Sequence, residues 1–180
     1  MGVLASIIDR SISGSLSSDF STIGYSAFRD CSSLTSVSFP YVTSLEVSAF
    51  QDCSSLTSVS FPRATNIDTQ AFMSCSSLNS ISFPIVEYIG SYSFQDCSSL
   101  TSVSFPCAKT IDTKAFSKCT NLTTIYVGTA WTSTVCSLQV SNVFDGCKNL
   151  ANIYVPASLV DSYKSATNWT KYADKIKAAP

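Results

Sequence analysis

The sequence predicts an α/β repeat solenoid of about six 22-residue coils, with one short strand per coil building a parallel sheet and short helical or 3-10 turns lining the opposite side. Three observations carry this prediction. Cys31, Cys53, Cys75, Cys97 and Cys119 are each 22 residues apart, as are Pro40, Pro62, Pro84 and Pro106. Phenylalanine recurs at half that period, every 11 residues from Phe28 to Phe116. Within each period a Leu-x-x-Val/Ile-x-Phe-Pro segment alternates, so that Val59 and Phe61 face one way and Ser58 and Ser60 the other.

The elements follow in chain order. Residues 1–22 hold Leu4, Ile7, Ile8, Ile12, Leu16 and Phe20 without the repeat frame and read as an irregular N-terminal coil or cap. Strands are expected near 35–39, 57–61, 79–83, 101–105, 123–127 and 151–155, several of them closed by a proline. They run in one direction and are joined by connections too long for a hairpin, so they pair in parallel at a spacing of about 4.8 Å. The second half of each unit supplies Leu45, Ile67, Ile89 or Ile111, then Ala49, Ala71, Ser93 or Ala115 followed by phenylalanine. That spacing suits one helical turn, with Asp68 and Asp112 as N-caps. Cys147 comes 28 residues after Cys119, so one coil carries a six-residue insertion near 128–137. Residues 156–180 read as a helical C-terminal cap that seals the last apolar coil face. Pro156 suits an early helical position, and Leu159, Val160, Tyr163 and Ala166 then follow helical spacing. A second short helix is expected to bury Trp169, Tyr172, Ala173 and Ile176, with Lys164, Lys171, Lys175 and Lys177 outside. Cap, solenoid (23–155) and cap form one continuous domain, because a single coil cannot bury enough surface to fold alone.

Composition narrows the function. Charged residues are 13% of the chain, half the ordinary ~25%. Eleven Lys+Arg nearly cancel 12 Asp+Glu, which leaves no basic stripe for nucleic acid. No apolar run approaches the ~18–20 residues of a membrane span. There is no histidine, the commonest general base and metal ligand. No P-loop, G-x-S-x-G, calcium loop or paired-carboxylate pattern is present, so neither enzyme nor cofactor is expected. The cysteine ladder lacks the C-x₂-C pairs of a zinc site and the base of a nucleophile. It reads as buried reduced thiols packed like small hydrophobes, because parallel Cβ atoms ~4.8 Å apart exceed the usual disulfide reach. Cys107 and Cys136 lie outside the ladder and are the candidates for exposed or reactive thiols. Asn121-Leu-Thr and Asn168-Trp-Thr fit the glycosylation pattern by chance in a chain with 36 serines and 17 threonines.

The frame Leu-x-x-Val-x-Phe-Pro…Ile-x-x-x-Ala-Phe-x-x-Cys resembles the BspA-type leucine-rich repeat. Leu34, Val37 and Phe39 look like its strand positions, and Ile67, Ala71, Phe72 and Cys75 like its convex half. The stretch Ile153–Trp169 and the opening Ile8-Asp-Arg-Ser-Ile12 are similar to the ends of such chains in bacterial surface proteins and phage-derived tail proteins. The resemblance implies a leucine-rich repeat solenoid serving as a protein-interaction or adhesion module, at the cell surface or secreted, with the export signal outside this chain. Its partner would be a protein, with a host surface or matrix protein the expected class. A structural fibre or tail module of phage origin is the alternative.

Two surfaces are candidates. Ser36, Ser38, Ser58, Ser60, Ser80, Ser82, Ser102 and Ser104 point outward from four strands as a hydroxyl array on the expected concave face. It reads either as a docking face or as what a tightly stacked, solvated sheet tolerates. Ice and carbohydrate platforms fit less well, since they favour threonine methyls and aromatic faces. Towards the C-terminus the same positions become Thr124, Tyr126, Asn152 and Tyr154, with Trp131 in the insertion. This is the best local candidate for a partner contact, because tyrosine and tryptophan dominate interface energetics. The competing reading has these rings resting against the core and cap. An unsealed parallel edge at the N-terminal coil also offers a route to a homo-oligomer.

Overall fold

The computed structural model describes residues 3–4, 14–17, 20–128 and 133–180. The chain winds as a parallel β-solenoid in which each coil gives one strand to each of two ladders. In chain order the strands are β1 (Val3–Leu4) and β2 (Gly14–Ser17), β3 (Thr22–Ile23) and β4 (Leu34–Ser38), β5 (Ser44–Leu45) and β6 (Ser58–Ser60), and β7 (Asn66–Ile67) and β8 (Ser80–Ser82). Then come β9 (Tyr88–Ile89) and β10 (Ser102–Phe105), β11 (Thr110–Ile111) and β12 (Thr124–Val127), and β13 (Ser137–Leu138) and β14 (Asn152–Val155), before the cap ends in β15 (Ile176–Ala178). The two-residue strands form one seven-stranded ladder, β1-β3-β5-β7-β9-β11-β13. The longer strands form two four-stranded parallel sheets, β2-β4-β6-β8 and β10-β12-β14-β15. Seven rungs exceed the six expected coils because the N-terminal residues also wind into the stack. Their β2 pairs with β4, with a register irregularity between Gly14 and Ser15.

Side chains repeat in register. Val37, Val59 and Ile81 stand opposite one another, as do Val103, Ile125, Ile153 and Ile176. Phenylalanines fill the interior in two columns. Phe28, Phe50, Phe72, Phe94, Phe116 and Phe144 stack with centroids 4.9 to 5.7 Å apart. Phe39, Phe61, Phe83 and Phe105 form the second column at 5.5 to 6.2 Å. Tilted contacts between the columns lock them together, as Phe50 against Phe61 at 5.9 Å shows.

The turns opposite the longer strands are not helices. The amides there alternate between two duties. Ala49, Gln51 and Cys53 donate to carbonyls three residues back, as in a 3-10 turn, while Ser48, Phe50 and Asp52 donate to Thr69, Ala71 and Met73 one coil on. Each second amide is thus taken by the stack, and Ser48 and Asp52 at φ 59 and 62 reverse the backbone, so no helix can propagate. Asp68 and Asp112 accordingly do not cap a helix. Each accepts a 2.6 Å bond from the amide of the very next residue.

The cap holds one helix, α1 (Val160–Ser165), preceded by a 3-10 turn at Ala157–Leu159. The second helix expected around Trp169–Ile176 is only a 3-10 turn, Thr170–Tyr172, after which the chain extends β14 as β15. Three aromatic side chains close the last coil. The Tyr163 hydroxyl accepts from the Cys136 amide at 2.9 Å, Trp169 Nε1 donates to the Cys136 carbonyl at 2.6 Å, and the Tyr172 hydroxyl donates to the Ser141 carbonyl at 2.7 Å. Burial pushes both tyrosine hydroxyls up to about 12. No helix of the described residues is long and apolar enough to cross a membrane.

Candidate interaction surface

The outward residues of the longer strands define the surface. On β4, β6, β8 and β10 they are serines: Ser38, Ser80, Ser82, Ser102 and Ser104 are exposed, and Ser36, Ser58 and Ser60 half-buried. Their Cα atoms fall in rows, Ser36-Ser58-Ser80 and Ser38-Ser60-Ser82. From β10 onward the rows change to Ser102-Thr124-Asn152 and Ser104-Tyr126-Tyr154. Tyr126 and Tyr154 stack on each other with centroids 5.0 Å apart and rings 25° from parallel. Both are half-buried, so each ring keeps an open edge. The pair therefore forms a stacked aromatic block beside the serine rows. Trp131 lies outside the described residues.

Lys177 is the residue that sequence reasoning missed. Assigned to the outer side of a helix, it sits instead on β15 in register with Tyr154, and its Nζ donates to Asn152 Oδ1 at 2.6 Å. The surface is thus Thr124, Tyr126, Asn152, Tyr154 and a cation. A second exposed row was also unforeseen, on the rim just past the prolines. Tyr41 and Ile85, 43% and 40% exposed, lie in it with Arg63, whose guanidinium rests 5.2 Å over the Tyr41 ring. Its signal was the 22-residue spacing of Tyr41, Arg63, Ile85 and Cys107.

The thiols divide differently from expectation. All eight cysteines are free. The ladder members donate S–H bonds to the preceding coil, as Cys53 to the Phe28 carbonyl at 2.9 Å and Cys97 to Phe72 at 3.1 Å. Burial pushes the Cys97 thiol far up. Cys107 is half-buried, but Cys136 is 1% exposed beneath the cap, where burial pushes its thiol up to about 12, so it is no reactive surface group. Its place outside the ladder suggested an exposed thiol, but Tyr163 and Trp169 bond its amide and carbonyl beneath the cap. The more open ladder thiol is Cys147, which lines a shallow cavity of about 290 Å³ with Phe144, Lys148, Lys171 and Tyr172. Among the described residues no group of three or more acidic or cysteine side chains could hold a metal ion.

The comparisons with known proteins agree with this architecture. The profile of the BspA-type leucine-rich repeat region, in six copies, matches residues 11–123 and 65–177. The chain belongs to the BspA-type leucine-rich repeat family. A leucine-rich repeat protein from Bacteroides ovatus is similar over 92% of this chain at 26% identity and a TM-score of 0.71. This chain spans only 42% of that protein's length. The Treponema pallidum leucine-rich repeat protein matches 99% of this chain and 91% of its own length, at 24% identity and a TM-score of 0.74. A leucine-rich cell surface protein from Faecalibacterium prausnitzii is similar over 81% of this chain and 55% of its own, at 22% identity and a TM-score of 0.57. No curated protein sequence matches the chain.

Proposed function

We propose that this chain is a non-enzymatic protein-interaction module, working as an adhesin at a bacterial surface or after export, with the Tyr126–Tyr154 block as its contact centre. The stacked pair carries the reading. It is a pre-ordered aromatic anchor on an open sheet, rimmed by Thr124, Asn152 and Lys177, and ordering such rings beforehand lowers the entropy lost on docking. The serine rows beside it supply small hydrogen-bonding groups without charge to desolvate. The Faecalibacterium neighbour, described as a cell surface protein, lends support to the location. The test is binding of the purified chain to immobilised host matrix proteins and to intact cells. Replacing Tyr126 and Tyr154 with alanine should weaken the strongest interaction at least tenfold, while Ser58→Ala with Ser80→Ala should leave it within about twofold. Equal binding by the tyrosine variant and the wild type moves the contact elsewhere, and no binding to any matrix protein or cell overturns adhesion.

A further inference from the structure

Among the described residues the longer-strand sheet is parted between β8 and β10, where no strand pairing joins the two four-stranded sheets. The bonds that recur at every neighbouring coil stop there. The amides of Thr57, Asn79, Thr123 and Ala151 each donate to the threonine carbonyl one coil back, at 2.8 to 3.0 Å. The amide of Thr101 has no such bond to Asn79. Phe39 and Phe61 donate to Ser60 and Ser82 one coil on, both at 3.1 Å, while Phe83 makes no such bond to Ser104. The threonine hydroxyls of Thr57 and Thr123 clip to the coil before at 2.9 and 3.0 Å, and this bond too is missing between Thr101 and Asn79.

Side chains record the same parting. Ile81 is half-buried where its counterparts Val37, Val59, Val103 and Ile125 are at most 3% exposed. Phe83 and Phe105 are the widest-spaced pair of their column, at 6.2 Å. A cavity of about 210 Å³ opens between the strands, lined by Ile81, Ser82, Phe83, Pro84, Ser104 and Pro106. Across the fold, the same two coils are fully joined. Tyr92, Phe94 and Asp96 donate to Thr113, Ala115 and Ser117 at 2.8 to 3.0 Å, and Phe94 stacks on Phe116 at 5.2 Å. Glu87 pairs with Lys109 at 2.8 Å, and the Tyr88 hydroxyl bonds Asp112 at 3.2 Å.

We propose that this seam is a built-in hinge: the solenoid is two blocks, residues 20–100 and residues 101–128 with 133–178, that open and close on the β8–β10 side about an intact joint along β9–β11 and the turns after it. A strand edge left unpaired inside a sheet lacks the ladder bonds and is held here by side-chain packing such as that of Phe83 on Phe105, so it opens locally at lower cost than the bonded rungs. Opening changes the separation of the serine rows on β4–β8 from the Tyr126–Tyr154 block without unfolding either. The inference does not rest on the adhesion reading, because it concerns the backbone alone.

Amide hydrogen exchange on the unmodified chain, resolved by NMR, tests it. The amides of Phe83 and Thr101 should exchange at least tenfold faster than their counterparts Phe61, Thr57 and Thr123, with Tyr92, Phe94, Asp96 and Asp112 staying as protected as Ser48, Phe50, Asp52 and Asp68. Protection of Phe83 and Thr101 equal to that of their counterparts would mean the seam is closed in solution and overturn the proposal. Fast exchange on both sides of the junction would overturn it as well, by showing that whole coils separate and no hinge exists.

Discussion

In the column Phe28, Phe50, Phe72, Phe94 and Phe116, each amide is met by a backbone carbonyl one coil later, whereas at Phe144 it is met by a side chain, the Tyr172 hydroxyl at 3.3 Å. The same substitution of side chain for backbone occurs at Leu138, whose carbonyl takes the Asn168 amide at 2.9 Å, and at both polar groups of Cys136. On the side of the fold that carries this column, interior coils are therefore satisfied by a rule, and the last coil by individuals. A rule can be repeated with serine, asparagine or threonine in the outward positions. The individuals cannot be exchanged, because each of Tyr163, Trp169 and Tyr172 combines core volume with one hydroxyl or indole N–H at a fixed place.

That contrast is open to test. The largest effect is expected from Trp169→Ala, which removes a fully buried ring and strands the Cys136 carbonyl. It should cost about 4 kcal/mol in urea unfolding, and a cost below about 2 kcal/mol would show that the stack closes without it. Next comes Gly90→Ala. A Cβ there would lie 2.7 Å from the Asp68 carbonyl carbon, although Asp68 and Asp112 occupy the same register in adjacent coils. About 2 kcal/mol of destabilisation is expected, whereas Asp112→Ala in the next coil should change the melting temperature far less.

Alkali should separate cap from coils as well. Tyr163 and Tyr172 have folded values of about 12 against an unfolded 10, chiefly through burial. Their contribution is complete below pH 10 and is lost as pH rises towards 12, with a slope of about 1.4 kcal/mol per pH unit for each group. Buried thiols pushed upward, Cys97 and Cys136 among them, add to the slope from pH 9. Denaturant midpoints measured from pH 8 to 11 check this, and Tyr163→Phe should flatten the profile. The smallest effect is a gain. Ser93 takes the place of Ala49, Ala71 and Ala115, and its hydroxyl is buried without a partner among the described residues. Ser93→Ala should stabilise the chain by about 1 kcal/mol, read as a raised melting temperature.

Periodicity made the coils legible. Any residue whose environment is set by its equivalents 22 positions away, such as Val59 or Phe61, could be placed from spacing alone. What escaped depended on contacts outside the period. Cys136 looked exposed because nothing in its neighbourhood reveals that Tyr163 and Trp169, more than twenty residues on, fold over it. Lys177 fitted an amphipathic helix as well as a strand, and pairing with β14 decided the matter. The turns looked helical because Ile-x-x-x-Ala-Phe has helical spacing, but spacing does not show that alternate amides are claimed by the next coil. The seam escaped because Ser-Ile-Ser on β8 carries the same pattern as Ser-Val-Ser on β6, and the difference lies in backbone bonds. In that strand segment the departures are small, Asn79 in a position held by threonine and Ile81 in a position held by valine in the coils on either side. For the interaction surface, Tyr126 and Tyr154 were nameable as outward strand residues, while their stacking needed the register of β12 on β14.

The buried thiol ladder has a consequence for how the chain is made. Once wound, six of the eight sulfurs, those of Cys31, Cys53, Cys75, Cys97, Cys119 and Cys136, are shielded from any oxidant. Before winding, all eight are accessible, and a cross-link between sulfurs of coils that are not neighbours would fix a spacing the stack cannot accommodate. A chain delivered unwound to an oxidising environment is thus in a race between coil formation and sulfur chemistry, and the nearly identical coils, each able to zip onto its neighbour through local contacts, favour the faster runner.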